Sequence, residues 1–222
     1  MKTKMILAGI AALMAAPIVA QAADLPQPYK AQPGVIAPAY ANWTGFYVGI
    51  NGGYGFGKSD WDIPAVSPKP AGGVAGGTIG YNFQTGQWVW GAEGDFDWSG
   101  MKNSVTCGLG TCETKNDWLG TARVRLGYAG WNNWLPYITG GAAFADIKAD
   151  NSLSGTTASK TQIGWTAGLG VEYALRSNWS VKVEYLYADL GKFDCGTACS
   201  PFVPDNVTFT TNLVRAGVNY RF

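Results

Sequence analysis

Only 14% of the 222 residues are charged, against about a quarter in ordinary soluble domains, while aromatic residues also reach 14% and glycine contributes 31. The formal net charge of +1 gives no electrostatic reason to expect nucleic acid, and the absence of histidine excludes Ser/His/Asp and Asp/His catalytic arrangements. The length suits one domain once a targeting segment is set aside.

Residues 1–22 read as a Sec-type signal peptide: Lys2 and Lys4 form a charged start, Met5 to Ala16 an apolar run, and Ala20-Gln21-Ala22 a small-x-small cleavage site. The run is too short for a permanent transmembrane helix, and no later stretch offers the roughly eighteen uncharged apolar residues that one needs. An exported chain of this kind is soluble beyond the inner membrane, lipid-anchored, or a barrel. No cysteine stands at the cleavage site, which argues against the anchor. Residues 23–42 carry Pro26, Pro28, Pro33 and Pro38 among alanine and glutamine, which predicts a flexible periplasmic leader that forms neither ladder nor helix. A tail touching peptidoglycan is the alternative reading of that leader.

Residues 43–222 divide into eight alternating segments, at about 43–56, 72–84, 87–98, 115–129, 135–148, 160–175, 178–191 and 207–222. Thr85-Gly86, Gly130 to Trp134 and Arg176-Ser177 are hairpin-length connections. The intervening connections, 57–71, 99–114, 149–159 and 192–206, are much longer. Short turns at one end, long loops at the other and an even strand number predict an eight-stranded antiparallel up-and-down transmembrane β-barrel with both ends on the periplasmic side.

Charge obeys the parity of these segments. Trp88, Trp90, Ala92, Gly94, Phe96 and Trp98 share one face of the third, leaving Glu93, Asp95 and Asp97 on the other. The fourth sets Trp118, Ala122, Val124, Leu126 and Tyr128 against Arg123 and Arg125; the sixth sets Trp165, Leu169, Val171 and Tyr173 against Glu172. In the seventh, Trp179, Val181, Val183, Tyr185 and Tyr187 oppose Lys182 and Glu184. The eighth places Val214, Ala216, Val218, Tyr220 and Phe222 opposite Leu213, Arg215, Gly217, Asn219 and Arg221. A soluble barrel would hide the apolar face and wet the other, so the aromatic face is predicted to meet hydrocarbon. Small residues leave the parity of the fifth segment open. Trp88, Trp131, Trp134 and Trp179 adjoin short turns, whereas Trp98, Trp118, Trp165 and Phe56 adjoin long connections, as two interfacial girdles would. An amphipathic strand of a soluble sandwich is the other reading of the final segment, but that segment ends on Phe222, an outward aromatic suited to signal membrane insertion.

The signal peptide followed by Ala23-Asp24-Leu25-Pro26, the opening Trp43-Thr44-Gly45-Phe46-Tyr47-Val48-Gly49, Gly80-Tyr81-Asn82, Trp134-Leu135-Pro136-Tyr137 and the closing Val218-Asn219-Tyr220-Arg221-Phe222 carry a family resemblance. The chain resembles the small outer-membrane β-barrel proteins of alphaproteobacteria, the outer-membrane immunogenic or porin-family proteins, similar in architecture to the OmpA transmembrane domain. The resemblance implies an outer-membrane location, roles in envelope integrity and surface exposure, and no active site, cofactor or metal. The partners it implies are outer-membrane lipid and lipopolysaccharide, the barrel-assembly machinery, and host or surface ligands, with a monomeric state. The peptidoglycan-binding domain of full-length OmpA is expected to be absent.

An eight-stranded barrel has a lumen just wide enough for its own side chains. Five acids, Glu93, Asp95, Asp97, Glu172 and Glu184, and five bases, Arg123, Arg125, Lys182, Arg215 and Arg221, share the inward parity. Buried unpaired they would each cost several kcal/mol, so a lumenal ion-pair network that plugs the barrel is predicted. Glu93, Asp95, Glu172 and Glu184 are expected to alternate with Arg123, Arg125, Lys182 and Arg215. A two-carboxylate enzyme site among Glu93, Asp95 and Asp97 is the rival reading. Gly72-Gly73 and Gly76-Gly77 are not phosphate loops, since no Lys-Ser/Thr follows, and are read as room for a strongly coiled backbone. Three functions stay open: a structural barrel, a small-solute or ion channel, and an adhesin or receptor acting through Trp61 to Pro70 and Asp194 to Asp205.

Four cysteines in an exported chain are free to pair. Cys107 with Cys112 and Cys195 with Cys199 would each close a small loop within one long connection, with pairing between the two connections and a four-thiolate zinc site as alternatives. Reduction should raise the intact mass by four hydrogens; bound zinc in the native protein would overturn the pairing.

Overall fold

The computed structural model describes residues 41–61, 67, 69–107, 110–151, 156–175, 178–196 and 205–222. The readings of 1–22 as a signal peptide and of 23–40 as a leader fall outside them. The strands are β1 (Gly45–Trp61), β2 (Ala71–Thr85), β3 (Trp88–Cys107), β4 (Gly110–Tyr128), β5 (Trp134–Asn151), β6 (Thr156–Ala174), β7 (Trp179–Gly196) and β8 (Asp205–Arg221). Each pairs antiparallel with the next, and β8 returns to β1 from Tyr47↔Arg221 to Trp61↔Val207, closing the barrel. Closure leaves no open edge in hydrocarbon, where an unpaired backbone group has no water to bond.

The three short connections bring neighbouring strands together at one end. Gly86 takes a φ of 61° in the β2–β3 turn, a left-handed conformation that a two-residue hairpin requires. Between β4 and β5, Asn132 takes a φ of 51° and the Trp134 N–H donates to the Trp131 carbonyl at 2.9 Å.

The strands run well past the segments expected from alternation. Residues 57–61, 99–107, 110–114, 149–151, 156–159, 192–196 and 205–206, expected as loop, are strand. The reason is a reversal of polarity along the wall. Below the upper aromatic level the outward residues are Phe46, Ile50, Ile79, Trp90 and Ile138, all largely exposed, while Glu93, Arg123 and Glu184 are buried inside. Above it Met101, Leu119, Ile147, Leu190 and Phe209 are buried inside, and Lys102, Lys115, Lys148 and Lys192 stand on the outward parity. A search for apolar-out strands stops at that reversal, but the ladder does not. On β3 the stretch from Trp88 to Trp98 matches the roughly 9–11 residues that a tilted strand needs to cross a bilayer. The remainder, to Cys107, projects beyond it.

Above the girdle the wall parts into two sheets. β6 pairs with β7 only from Trp165↔Asp189 to Ala174↔Ser180. Farther out β6 stays with β5 as far as Asn151↔Thr156, and β7 with β8 as far as Gly196↔Asp205. Gly191, with a φ of 70°, lies in the register shift between Asp189 and Lys192 where β7 leaves its neighbour. On the far side β2 ends at Ala71, so β3–β4–β5–β6 and β7–β8–β1 project separately.

The opposite mouth carries an apolar floor. Trp43, 1% exposed, packs with Val89, Ala129, Leu135 and Ala174. Its backbone N–H donates to Gln84 Oε1 at 2.8 Å, and Arg221 lies over its ring at 5.3 Å. Trp43→Ala should lower the unfolding free energy by about 3–5 kcal/mol, measured by urea titration in lipid vesicles.

Candidate functional site

The only concentration of titratable side chains buried among the described residues lies in the inner half of the lumen, and β3, β4, β6, β7 and β8 all contribute to it. The two-residue period of each strand aims alternate side chains at the axis, and the register sets them at matching heights: Glu93 opposite Arg123, Glu172 opposite Lys182, Glu184 opposite Arg215.

Arg123 is the hub. Its guanidinium bonds Glu93, lies 2.6 Å from Asp95 and donates to Glu184 Oε2 at 3.0 Å. Arg215 donates through Nε to Glu184 Oε1 at 2.9 Å, reaches Asp95 at 3.1 Å and bonds Asp97. Lys182 on β7 crosses the lumen to Glu93 on β3 at 3.2 Å. Arg125 donates to Glu172 Oε2 at 2.8 Å, and Glu172 also accepts from Ser180 Oγ at 2.5 Å and Asn219 Nδ2 at 2.9 Å. Thr78 and Thr121 hydroxyls donate to Asp95 at 2.7 and 2.8 Å. Every charge thus has a counter-charge, and Asp95 and Glu172 accept hydroxyl or amide hydrogen bonds besides, which offsets part of the cost of burying the ions.

Arg221 departs from the expected set. It sits half-buried at the periplasmic mouth over Trp43, and no ion pair joins it to the network. The reason is depth: it is the last residue of β8, level with the floor and not with the carboxylates. The network therefore holds five carboxylates, Glu93, Asp95, Asp97, Glu172 and Glu184, against four cations, Arg123, Arg125, Lys182 and Arg215.

Two tyrosines that parity alone did not single out belong to it. The Tyr47 hydroxyl donates to Glu93 Oε2 at 2.7 Å, and Arg125 stacks over Tyr137 at 3.9 Å from the ring centroid. Tyr137 lies on β5, whose small residues hid its parity; the structure turns Leu135, Tyr137, Thr139, Ala143, Ala145 and Ile147 inward. Inward glycines make room for these long side chains. A Cβ at Gly80 would fall 2.4 Å from the Tyr47 ring, one at Gly170 2.6 Å from Tyr137, and one at Gly91 2.8 Å from Arg125. The glycine runs thus serve side-chain packing inside the lumen as well as coiling of the backbone.

The girdle residues face outward. Trp88 pairs edge-on with Tyr128, Trp179 with Tyr220, and Tyr220 with Phe222 at the short-turn end; Phe96 with Trp98 and Trp165 with Tyr187 mark the other level. Phe222 is 72% exposed, and its N–H donates to the Phe46 carbonyl at 2.9 Å. Cys107 opposes Gly110 and Cys112 opposes Val105 across the β3–β4 ladder. The side chains of Cys107, Cys112 and Cys195 and the whole of Cys199 lie outside the described residues.

Comparison with known proteins agrees with this architecture. The sequence model of the outer membrane protein beta-barrel domain matches residues 8–222. The chain is 40% identical to the 31 kDa outer-membrane immunogenic protein of Brucella melitensis over 98% of both chains, and 37% identical to the 25 kDa outer-membrane immunogenic protein of Brucella canis over 96% of this chain and 95% of that one. It is 34% identical to the 22 kDa outer membrane protein of Rhizobium leguminosarum over 86% of this chain and 83% of that one. Among solved structures it is similar in fold to OprG from Pseudomonas aeruginosa (TM-score 0.54, 14% identity, 82% of this chain and 99% of that one) and to Neisserial surface protein A (TM-score 0.50, 18% identity, 81% and 98%). A closed eight-stranded barrel with outward aromatic girdles, matched over nearly its whole length, identifies the chain as an outer-membrane protein that belongs to the outer membrane protein beta-barrel domain family.

Proposed function

We propose that the protein is a sealed structural barrel that contributes to envelope integrity and presents its outer wall to the cell exterior. The observation that carries this reading is the bridging of the lumen by Lys182 and Glu93 from opposite sides, at 3.2 Å, within a network whose side chains are at most 3% exposed. The apolar floor around Trp43 and the hydrocarbon filling around Leu186, Leu213, Phe209 and Met101 close the space on either side of it. The chain has no histidine to serve general acid–base chemistry, and each carboxylate of the network is committed to a cation. Residues 62–66 and 197–204, on which recognition by extracellular loops would depend, lie outside the described residues.

In planar bilayers the purified protein should show no steady conductance on the scale of a sixteen-stranded porin, and liposomes containing it should not swell in small sugars. Steady porin-scale current would favour the channel reading instead. Arg123→Gln removes the cation that Glu93, Asp95 and Glu184 share, widens the excess of buried carboxylates and should destabilise the barrel by about 3–5 kcal/mol. Glu113→Gln, which removes one partner of Lys115 on the exposed wall, should change stability by at most about 1 kcal/mol in the same denaturant titration.

A further inference from the structure

The lumenal network holds one more carboxylate than cation, and its five acids are not equally served. Glu93 receives Arg123, Lys182 and the Tyr47 hydroxyl. Asp95 receives Arg123, Arg215 and the hydroxyls of Thr78 and Thr121. Glu172 receives Arg125, Ser180 and Asn219, and Glu184 receives Arg123 on one oxygen and Arg215 on the other. Asp97 differs from all of them. Its Oδ2 bonds Arg215, but its Oδ1 has no hydrogen-bond partner among the described residues, although the residue is 0% exposed. A carboxylate oxygen without a donor in a medium of low dielectric constant carries the full cost of its lost hydration.

A second acceptor is stranded beside it. Asn51 on β1 and Asp97 on β3 both stand opposite Gly76 of β2, on the inward face. Gly76 has no side chain, and Asp97 Oδ1 leans into the space that a Cβ there would take. The Asn51 amide comes within hydrogen-bonding reach of the Asp97 carboxyl. Its orientation is set by Thr78, whose hydroxyl gives its single proton to Asp95 at 2.7 Å and therefore accepts from Asn51 Nδ2 at 3.2 Å. Asn51 Oδ1 is turned away from Thr78 and has no donor, in a residue only 8% exposed. Nearer the periplasmic mouth the unpartnered atoms are mixed: the donors Trp43 Nε1 and Arg125 Nε, and the acceptors Asn82 Oδ1 and Asn219 Oδ1. Neutral water can serve such a set. At Asp97 and Asn51 both atoms are acceptors, and the space holds a surplus negative charge that water does not remove.

We propose that Asp97 is a proton-binding site of the lumen: its carboxyl holds a proton on Oδ1 and donates it to Asn51 Oδ1, so that the barrel closes with four anions on four cations. Oδ2 goes on accepting from Arg215. The charged groups facing Asp97 are Arg215 of β8 and Asp95 of its own strand, and Arg123 of β4 with Lys182 and Glu184 of β7 join onto those two. β1 and β2 bring only the neutral Asn51, Gly76 and Thr78, and β4 sets Leu119 directly opposite. A metal cation would also restore the charge, but a hard cation needs a shell of several oxygens, and two are offered here beside a guanidinium group. The proton comes from water: an aspartate of the unfolded chain is ionised at neutral pH, so folding takes up one proton. With more protons bound in the folded state than in the unfolded one, stability falls as pH rises, by roughly tenfold in the folding equilibrium constant per pH unit. The inference rests on a sealed lumen; failure of the seal shows as conductance, and failure of the proton site as stability that does not respond to pH.

The test is urea titration of the full chain in lipid vesicles at steps between about pH 6 and 8, an interval in which histidine is the side chain that ordinarily titrates and this chain has none. The wild-type folding constant should fall roughly tenfold per pH unit. Asp97→Asn offers an N–H to Asn51 and an oxygen to Arg215 with no proton to lose, so its folding constant should stay level across the interval. Infrared spectra at neutral pH should show the carbonyl stretch of an un-ionised carboxyl in the wild type and its loss in Asp97→Asn. Asp60→Asn, on the exposed wall of β1, should alter neither the slope nor the band. Heat-modifiable migration reports whether each variant has folded, and the wild-type slope and band decide the matter if Asp97→Asn has not. Level wild-type stability, or a carboxyl band that survives Asp97→Asn, overturns the proposal. So does a midpoint that follows sodium concentration at constant ionic strength, which would mark a metal-cation site instead.

Discussion

Hydrocarbon on the outside of the wall is the constraint from which the rest of this molecule follows. It requires every backbone donor and acceptor to find a partner within the sheet, which a closed ladder supplies and an open one does not. It also drives each charged side chain of the membrane-spanning stretch to the inner face, into a space too narrow for bulk water. Carboxylates and guanidinium groups crowded there are stable only by compensating one another. The cross-lumen contacts of Arg123, Arg215 and Lys182 are the result.

The compensation reaches beyond pairs of charges. Threonine, serine and asparagine from four other positions, Thr78, Thr121, Ser180 and Asn219, fill the remaining acceptor sites of Asp95 and Glu172. Glycines opposite the long side chains make room for such contacts, and the Arg125 guanidinium lies 3.9 Å from the Tyr137 ring centroid and donates to the Tyr47 hydroxyl at 3.3 Å. A network so interlocked holds one arrangement because displacing any member strands its neighbours in a medium of low dielectric constant.

Past the upper girdle the constraint is lifted, and the wall reorganises at once. The outer face becomes polar and the inner face hydrocarbon, the order found in soluble barrels, so one continuous set of strands serves as a membrane protein below and as a water-soluble one above. There the requirement for closure also ends, since water can satisfy an open edge. The wall parts between β6 and β7 just beyond Trp165, the last aromatic level before solvent.

Alternation along the chain was enough to establish eight strands, the outward aromatic face and the inward parity of the ten charges, because a period of two needs no knowledge of neighbours. Depth and distance lay beyond it. Arg221 has the parity of the network but stands at the wrong height, Trp43 opens the first alternating segment but turns under the barrel as its floor, and Tyr137 sits in a stretch too small-sided for its face to be told. The strand extensions escaped notice because the polarity pattern reverses while the hydrogen bonding continues. Sequence by itself determined which side of the wall each residue occupies, a local property of the extended backbone. Only the closed tertiary structure decided which charges meet across the lumen and where the wall opens, because register and curvature bring together residues far apart in the chain.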